Sequence, residues 1–177
     1  MGFQDAVKTC FRKYATFSGR ASRPEYWWFI LFLFVSHLVL GVIDNIIFGT
    51  GTVETANTEN GISFRAESNG PLAAIFGLAT LVPTIAAGWR RMHDTGRSGL
   101  YLFYPLIVII GLASFAGLMG LSLNNAINGE LGGLLSLIFG LGAIVFFISP
   151  LLVIWWLTRP SQKGINGYGE PPRLHRA

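Results

Sequence analysis

Four runs of almost uninterrupted apolar residues, at about 26–48, 71–89, 99–121 and 131–157, set the terms on which this chain can fold. At 1.5 Å per helical residue, each is long enough to cross a hydrocarbon core of roughly 30 Å. In that medium the backbone N–H and C=O groups must be satisfied within the segment, so the runs read as helices. Only 12% of the residues are charged and the mean hydropathy is +0.51, which excludes an ordinary soluble domain of this length. The expectation is an all-α membrane protein: four transmembrane helices with an N-terminal amphipathic cytoplasmic helix.

Residues 1–21 form the part that precedes the spans. Phe3, Val7, Cys10, Phe11, Tyr14 and Phe17 recur at three- and four-residue spacings, with Asp5, Lys8, Arg12 and Lys13 between them. Such a helix is too polar to span; it suits the headgroup plane or the mouth of its own bundle. Ser22 and Glu25 read as a capping box that opens the 22–157 membrane domain. Within the first span, His37 and Asp44 stand two turns apart on one face, which predicts that this face turns away from lipid. The segment 49–70, rich in Thr, Asn, Glu, Gly and Ser, reads as a flexible outside loop. In the second span Thr80, Thr84 and Gly88 offer a small-residue stripe and Pro83 a kink. A polar connector, 90–98, leads to the third span, with Ser98 as its N-cap and Ala113/Gly117 and Ala116/Gly120 as further small pairs. A short turn, 122–130, precedes the fourth span, and 158–177 is a tail too rich in Gly and Pro for a helix.

Orientation follows from the bases. Lys8, Arg12, Lys13, Arg20 and Arg23 lie before the first span, Arg90, Arg91 and Arg97 between the second and third, and Arg159, Lys163, Arg173 and Arg176 after the fourth, against Arg65 alone on the other side. The positive-inside rule then predicts both termini in the cytoplasm, and Trp27, Trp28, Trp89, Trp155 and Trp156 fall at the same ends of the spans. A single cysteine, Cys10, excludes an internal disulfide framework and a cysteine-based metal cluster. The charged first 26 residues carry no pattern of a cleavable signal, and no internal repeat suggests an inverted-repeat transporter.

Three separated signatures stand out: F-S-G-R-A-S-R-P-E-Y-W from Phe17, R-R-M-H-D-T-G-R-S-G from Arg90, and G-I-N-G-Y-G-E-P-P from Gly164. In this order around matching spans they resemble the DUF805 family of bacterial inner-membrane proteins. The resemblance covers nearly the whole chain and implies a small multi-span inner-membrane protein; it supplies no reaction, because the family is named for an unknown function.

All three signatures fall on the expected cytoplasmic side, so they can meet. Arg20, Arg23, Arg90, Arg91 and Arg97 then outnumber Glu25, Asp94 and Glu170, with His93, Asn166 and Tyr168 as further polar members. One expectation is a structural cluster in which Asp94 pairs with Arg20 or Arg23. Another is an anionic lipid headgroup, or a membrane-protein partner or second copy, held by the arginines, whose planar forks suit phosphate. A non-enzymatic reading is preferred, with no cofactor and no metal. Two alternatives stay open: a proton or ion path through His37 and Asp44, and an enzyme on a lipid-linked or phosphorylated substrate using His93 and Asp94. Nucleic acid is disfavoured as a partner, since the bases are divided among short membrane-proximal segments.

Overall fold

The computed structural model describes residues 1–49, 53–58, 61–66, 70–118 and 133–172. Among the described residues five α-helices carry most of the regular structure: α1 (Phe3–Arg12), α2 (Arg23–Phe48), α3 (Pro71–Asp94), α4 (Tyr104–Leu118) and α5 (Gly133–Thr158). The segments Arg23–Phe48, Pro71–Asp94, Gly99–Leu118 and Gly133–Thr158 are long and apolar enough to cross a membrane. Ile46, Leu78, Leu134 and Phe147 are each more than 70% exposed along them. An apolar surface of that extent is untenable in water and natural against lipid. The chain is an integral, all-α membrane protein.

Three boundaries differ from the sequence expectation. The helix of the second span does not stop at residue 89; α3 runs on to Asp94, so Arg90, Arg91, His93 and Asp94 are helical and the connector shrinks to 95–98. Arginine, methionine and histidine are adequate helix formers, and the lipid boundary, which ended the apolar run, does not end a helix. The third span opens with a 3-10 turn, Gly99–Phe103, whose first turn is capped by the Ser98 hydroxyl. Pro105 has no N–H to continue a ladder, so the α-helix restarts around it at Tyr104. The third difference lies within 49–70, expected as a flexible outside loop, where two described stretches are extended. Strands β1 (Val53–Thr58) and β2 (Gly61–Ala66) pair antiparallel from Val53↔Ala66 to Thr58↔Gly61. Val53, Thr55, Ile62 and Phe64 favour strands, a signal hidden beneath the polar composition. The expected turn at 122–130, and Gly120, lie outside the described residues.

The chain divides into two compact units, residues 1–17 with 24–87 and residues 18–23 with 88–173. In the first, aromatic rings hold α1 to α2: Phe3 meets Trp28 edge-on at 5.9 Å, and Phe11 meets Phe29 and Phe32 at 5.6 and 5.9 Å. Ala6 and Cys10 are fully buried on this side, and the Cys10 thiol points at the Glu25 carbonyl. Pro83, inside α3, cannot donate to the carbonyl four residues earlier, that of Ala79. The Tyr14 hydroxyl donates to that same carbonyl. A helix break that would strand a polar group in the span is thereby completed from another segment.

At the opposite end of α3 a carboxylate does comparable work. Asp44, near the end of α2 and fully buried, accepts from the backbone N–H of Leu72 at 3.1 Å and of Ala73 at 2.8 Å. These are orphan donors in the first turn of α3, so Asp44 caps a helix other than its own. A Cβ on Gly70 would stand 2.2 Å from the Asp44 Cβ, so only glycine lets the chain enter α3 this close.

In the second unit α4 and α5 pack by fitting Leu112 over Gly142, where a Cβ would lie 2.3 Å from Leu112, and by the Phe115–Phe139 contact at 6.0 Å. Of the expected small pair Ala113/Gly117, both members are exposed, and a Cβ on Gly117 would meet nothing within 4 Å among the described residues. Gly88 does serve close packing, against Leu102, while Thr80 and Thr84 turn their hydroxyls back onto the Phe76 and Thr80 carbonyls of their own helix.

Removing the donor in Tyr14→Phe leaves the Ala79 carbonyl unsatisfied and should cost about 1–3 kcal/mol. Asp44→Ala should cost about as much through the lost cap, and Gly70→Ala should match it by expelling the Asp44 side chain. Equilibrium unfolding in detergent, followed by circular dichroism, measures all three.

Candidate functional site

The last turn of α3 ends in a Schellman motif. Gly96, at φ +77°, lets its N–H reach the His93 carbonyl while the Arg97 N–H reaches that of Met92. This fixes Arg90, Arg91, His93 and Asp94 on one rigid helical turn. Arg91 and Asp94 are three residues apart and therefore neighbours; Arg91 Nη1 donates to Asp94 Oδ2. Arg20 arrives from the segment before α2, which is registered on α3 by the Ala21 N–H donating to the Arg90 carbonyl at 3.0 Å. Its Nε donates to Asp94 Oδ1 at 3.0 Å, and both side chains of this pair are inaccessible to solvent.

One carboxylate cannot fill two guanidinium forks, and the remaining N–H groups are costly to bury unless further acceptors meet them. Backbone carbonyls do so. Arg91 Nε donates to Leu157 O at 2.9 Å and Nη2 to Arg159 O, both at the C-terminal end of α5, where helix carbonyls have no partner of their own and the helix dipole is negative. Arg20 Nη1 donates to Gly164 O at 2.7 Å and Gly169 O at 3.3 Å, and Nη2 to Gln162 O. Asp94 is equally saturated: Oδ2 also accepts from the Ser161 hydroxyl, and its backbone carbonyl from Gln162 N–H. Gly164 and Gly169 hold positive φ values, +76° and +121°, which a side chain would resist.

The tail motif locks this arrangement. Asn166 and Gly169 exchange backbone hydrogen bonds, and the Asn166 carboxamide donates to the His93 carbonyl at 3.0 Å while its oxygen accepts from Tyr168 N–H. The Tyr168 ring lies flat on His93, centroids 3.8 Å apart and planes within 7°. His93 Nδ1 donates to the Gly19 carbonyl at 3.1 Å.

The geometry thus brings together Arg20, Arg91, His93, Asp94, Asn166 and Tyr168. Arg90 is fully buried beside them, whereas Arg23 is exposed and Arg97 half-buried. Arg97 instead lies over the Trp156 ring at 5.1 Å, and Arg159 over Trp155 at 4.9 Å. Burial first, and then the neighbouring Arg159 charge, lower the Arg97 pKa from its ordinary value, with Tyr101 acting in the other direction. His37 and Asp44 do not form a common inward face: Asp44 is buried at its cap, but His37 is exposed, bonded to the Leu33 carbonyl of its own helix and edge-on to Phe76. Among the described residues no three metal-ligating side chains converge. Sequence reasoning missed Ser161, Gln162 and the carbonyls of Leu157 and Arg159; a backbone acceptor has no residue signature, and only the glycines of the tail motif hinted at one.

Arg20→Ala and Arg91→Ala should each cost about 3–5 kcal/mol or abolish folding, since each leaves buried charge and several carbonyls unmatched. Arg20→Lys should fail nearly as badly, because one ammonium cannot meet four acceptors spread around a planar fork. Ser161→Ala removes one neutral donor and should cost about 1 kcal/mol. Thermal unfolding in detergent ranks the four.

The family model described as a protein of unknown function (DUF805) matches residues 14–170, a span that includes the whole arginine arrangement. The chain is 35% identical over 100 residues to the inner membrane protein YhaH of Escherichia coli K12, covering 56% of this chain and 71% of that one. It is 33% identical over 117 residues to the inner membrane protein YhaI of the same organism, covering 64% and 84%. No solved structure matches it. With Arg20, Asp94 and the tail turn inside one matched region, the chain belongs to the DUF805 family.

Proposed function

We propose that this is a non-enzymatic protein of the bacterial inner membrane, with both termini in the cytoplasm, in which a buried arginine knot fastens helix ends so that the exposed bases around it can meet anionic lipid headgroups. The saturation of Asp94 carries the reading. Both of its carboxylate oxygens and its backbone carbonyl accept hydrogen bonds from within the protein, and Arg20 and Arg91 turn every nitrogen of their forks to protein acceptors. His93, with one face on Tyr168 and Nδ1 on Gly19, is likewise engaged. Groups so occupied are poorly placed to move protons on a substrate or to clasp a ligand.

Recognition then falls to the outer bases, Arg23, Arg97, Arg159 and Lys163, which are exposed or half-buried. Anionic lipids attract such residues by roughly 1 kcal/mol each near the surface, an effect that salt screens. The placement of bases and tryptophans in the sequence supports the cytoplasmic assignment, and the names of the two relatives support the inner membrane.

Thr58→Cys should react with an impermeant thiol reagent added outside spheroplasts, and a reporter fused after the last residue should be active only in the cytoplasm. In nanodiscs, enrichment of phosphatidylglycerol over phosphatidylcholine should fall in graded fashion as the outer bases are neutralised and as salt is raised. Equal retention of both lipids by the native protein at low salt overturns the headgroup reading and leaves helix fastening alone.

A further inference from the structure

The outer bases are not equivalent. Arg97 and Arg159 are each held on the face of an aromatic ring, at 5.1 Å over Trp156 and 4.9 Å over Trp155, and those two tryptophans are adjacent at the end of α5. The platform is itself braced. Trp156 is met edge-on by Tyr101 at 5.3 Å and flanked by Tyr104 at 6.3 Å, and the Arg159 backbone carbonyl is gripped by Arg91. A guanidinium held over a ring through its charge still has N–H groups to give a ligand, and arginine's planar fork suits a bidentate phosphate contact. Arg97 gives one N–H to the Thr95 carbonyl, at a long 3.3 Å, and among the described residues no carboxylate is ion-paired with either arginine.

Two cations seated over the rings of adjacent residues, with no carboxylate paired to either among the described residues, form an arrangement that a bound anion would relieve. Indole rings at a span's end mark the depth of the lipid headgroups, so the anion at hand there is a lipid phosphate. We propose that Arg97 and Arg159, seated on Trp156 and Trp155, form a site for one phosphate group of an anionic lipid headgroup. The proposal rests on the headgroup reading above and localises it: Arg23 and Lys163 contribute general attraction, and this pair contributes a defined contact.

The full-length protein in nanodiscs of equal parts phosphatidylcholine and phosphatidylglycerol, released and weighed by native mass spectrometry, tests it. The native chain should retain phosphatidylglycerol preferentially, and R97Q/R159Q should lower that preference about tenfold, equivalent to about 1.4 kcal/mol, with thermal unfolding in pure phosphatidylcholine unchanged. R23Q/K163Q should lower it much less. If that second pair abolishes the preference and R97Q/R159Q does not, the headgroup reading stands and this site is overturned. Should R97Q/R159Q not fold, R97K/R159K is read in its place; it keeps the charge but loses the fork, so a severalfold loss supports the site and an unchanged preference overturns it. Inorganic phosphate serves as the second probe: little competition for the retained lipid supports a headgroup source, and displacement at comparable concentration assigns the site to a soluble phosphate instead.

Discussion

A carboxylate with no access to water has to find its whole environment in the protein, and Asp94 finds it in two guanidiniums, a hydroxyl and a helical turn. The consequences run outward. Because Asp94 needs Arg20, the segment before α2 must lie along the end of α3, where Ala21 registers it. Because one carboxylate cannot fill two guanidinium forks, other N–H groups must be met by carbonyls, and the C-terminal end of α5 and the glycine turns of the tail supply them. Three stretches far apart in sequence are held by the acceptors that two buried guanidiniums require. Buried ion pairs of this kind seldom add much net stability over apolar packing, but they tolerate almost no alternative geometry.

A second economy governs backbone groups within the spans. Lipid offers no hydrogen bonds, so every break in a helix ladder must be closed by protein. Pro83 opens a gap at the Ala79 carbonyl and Tyr14 closes it; the start of α3 exposes N–H groups and Asp44 closes those. Polar residues in or beside these helices therefore read first as repairs to the backbone. That weakens the case for an ion path from Asp44, whose oxygens are already bonded, and His37, which turns to its own helix.

How far the sequence foretold this depends on the range of the interaction concerned. The four spans follow from local apolar length, and the Arg20 to Asp94 partnership was within reach because acids are scarce near that end of the chain. The continuation of α3 past the lipid boundary was missed because hydropathy reports solvent and not backbone conformation. The pairing of 53–58 with 61–66 was missed because a polar composition masked alternating strand formers. Nothing local links Tyr14 to Pro83, or Arg97 to Trp156: such pairs are set by tertiary placement, and the acceptors that saturate Arg20 are carbonyls, which every residue carries.

The separation in sequence also imposes an order in time. The carbonyls that satisfy Arg20 lie 142 to 149 residues further along the chain. At synthesis rates of about 5–20 residues per second, roughly 7–30 s pass between the appearance of that arginine and of its acceptors. Through this interval Arg20 must remain hydrated at the bilayer edge, joined there by Arg91 once α3 is made, and neither fork is filled until the end of the fourth span is in place. A nascent chain that stops before that point leaves in water two guanidiniums that the finished protein buries, and so differs chemically from a completed one.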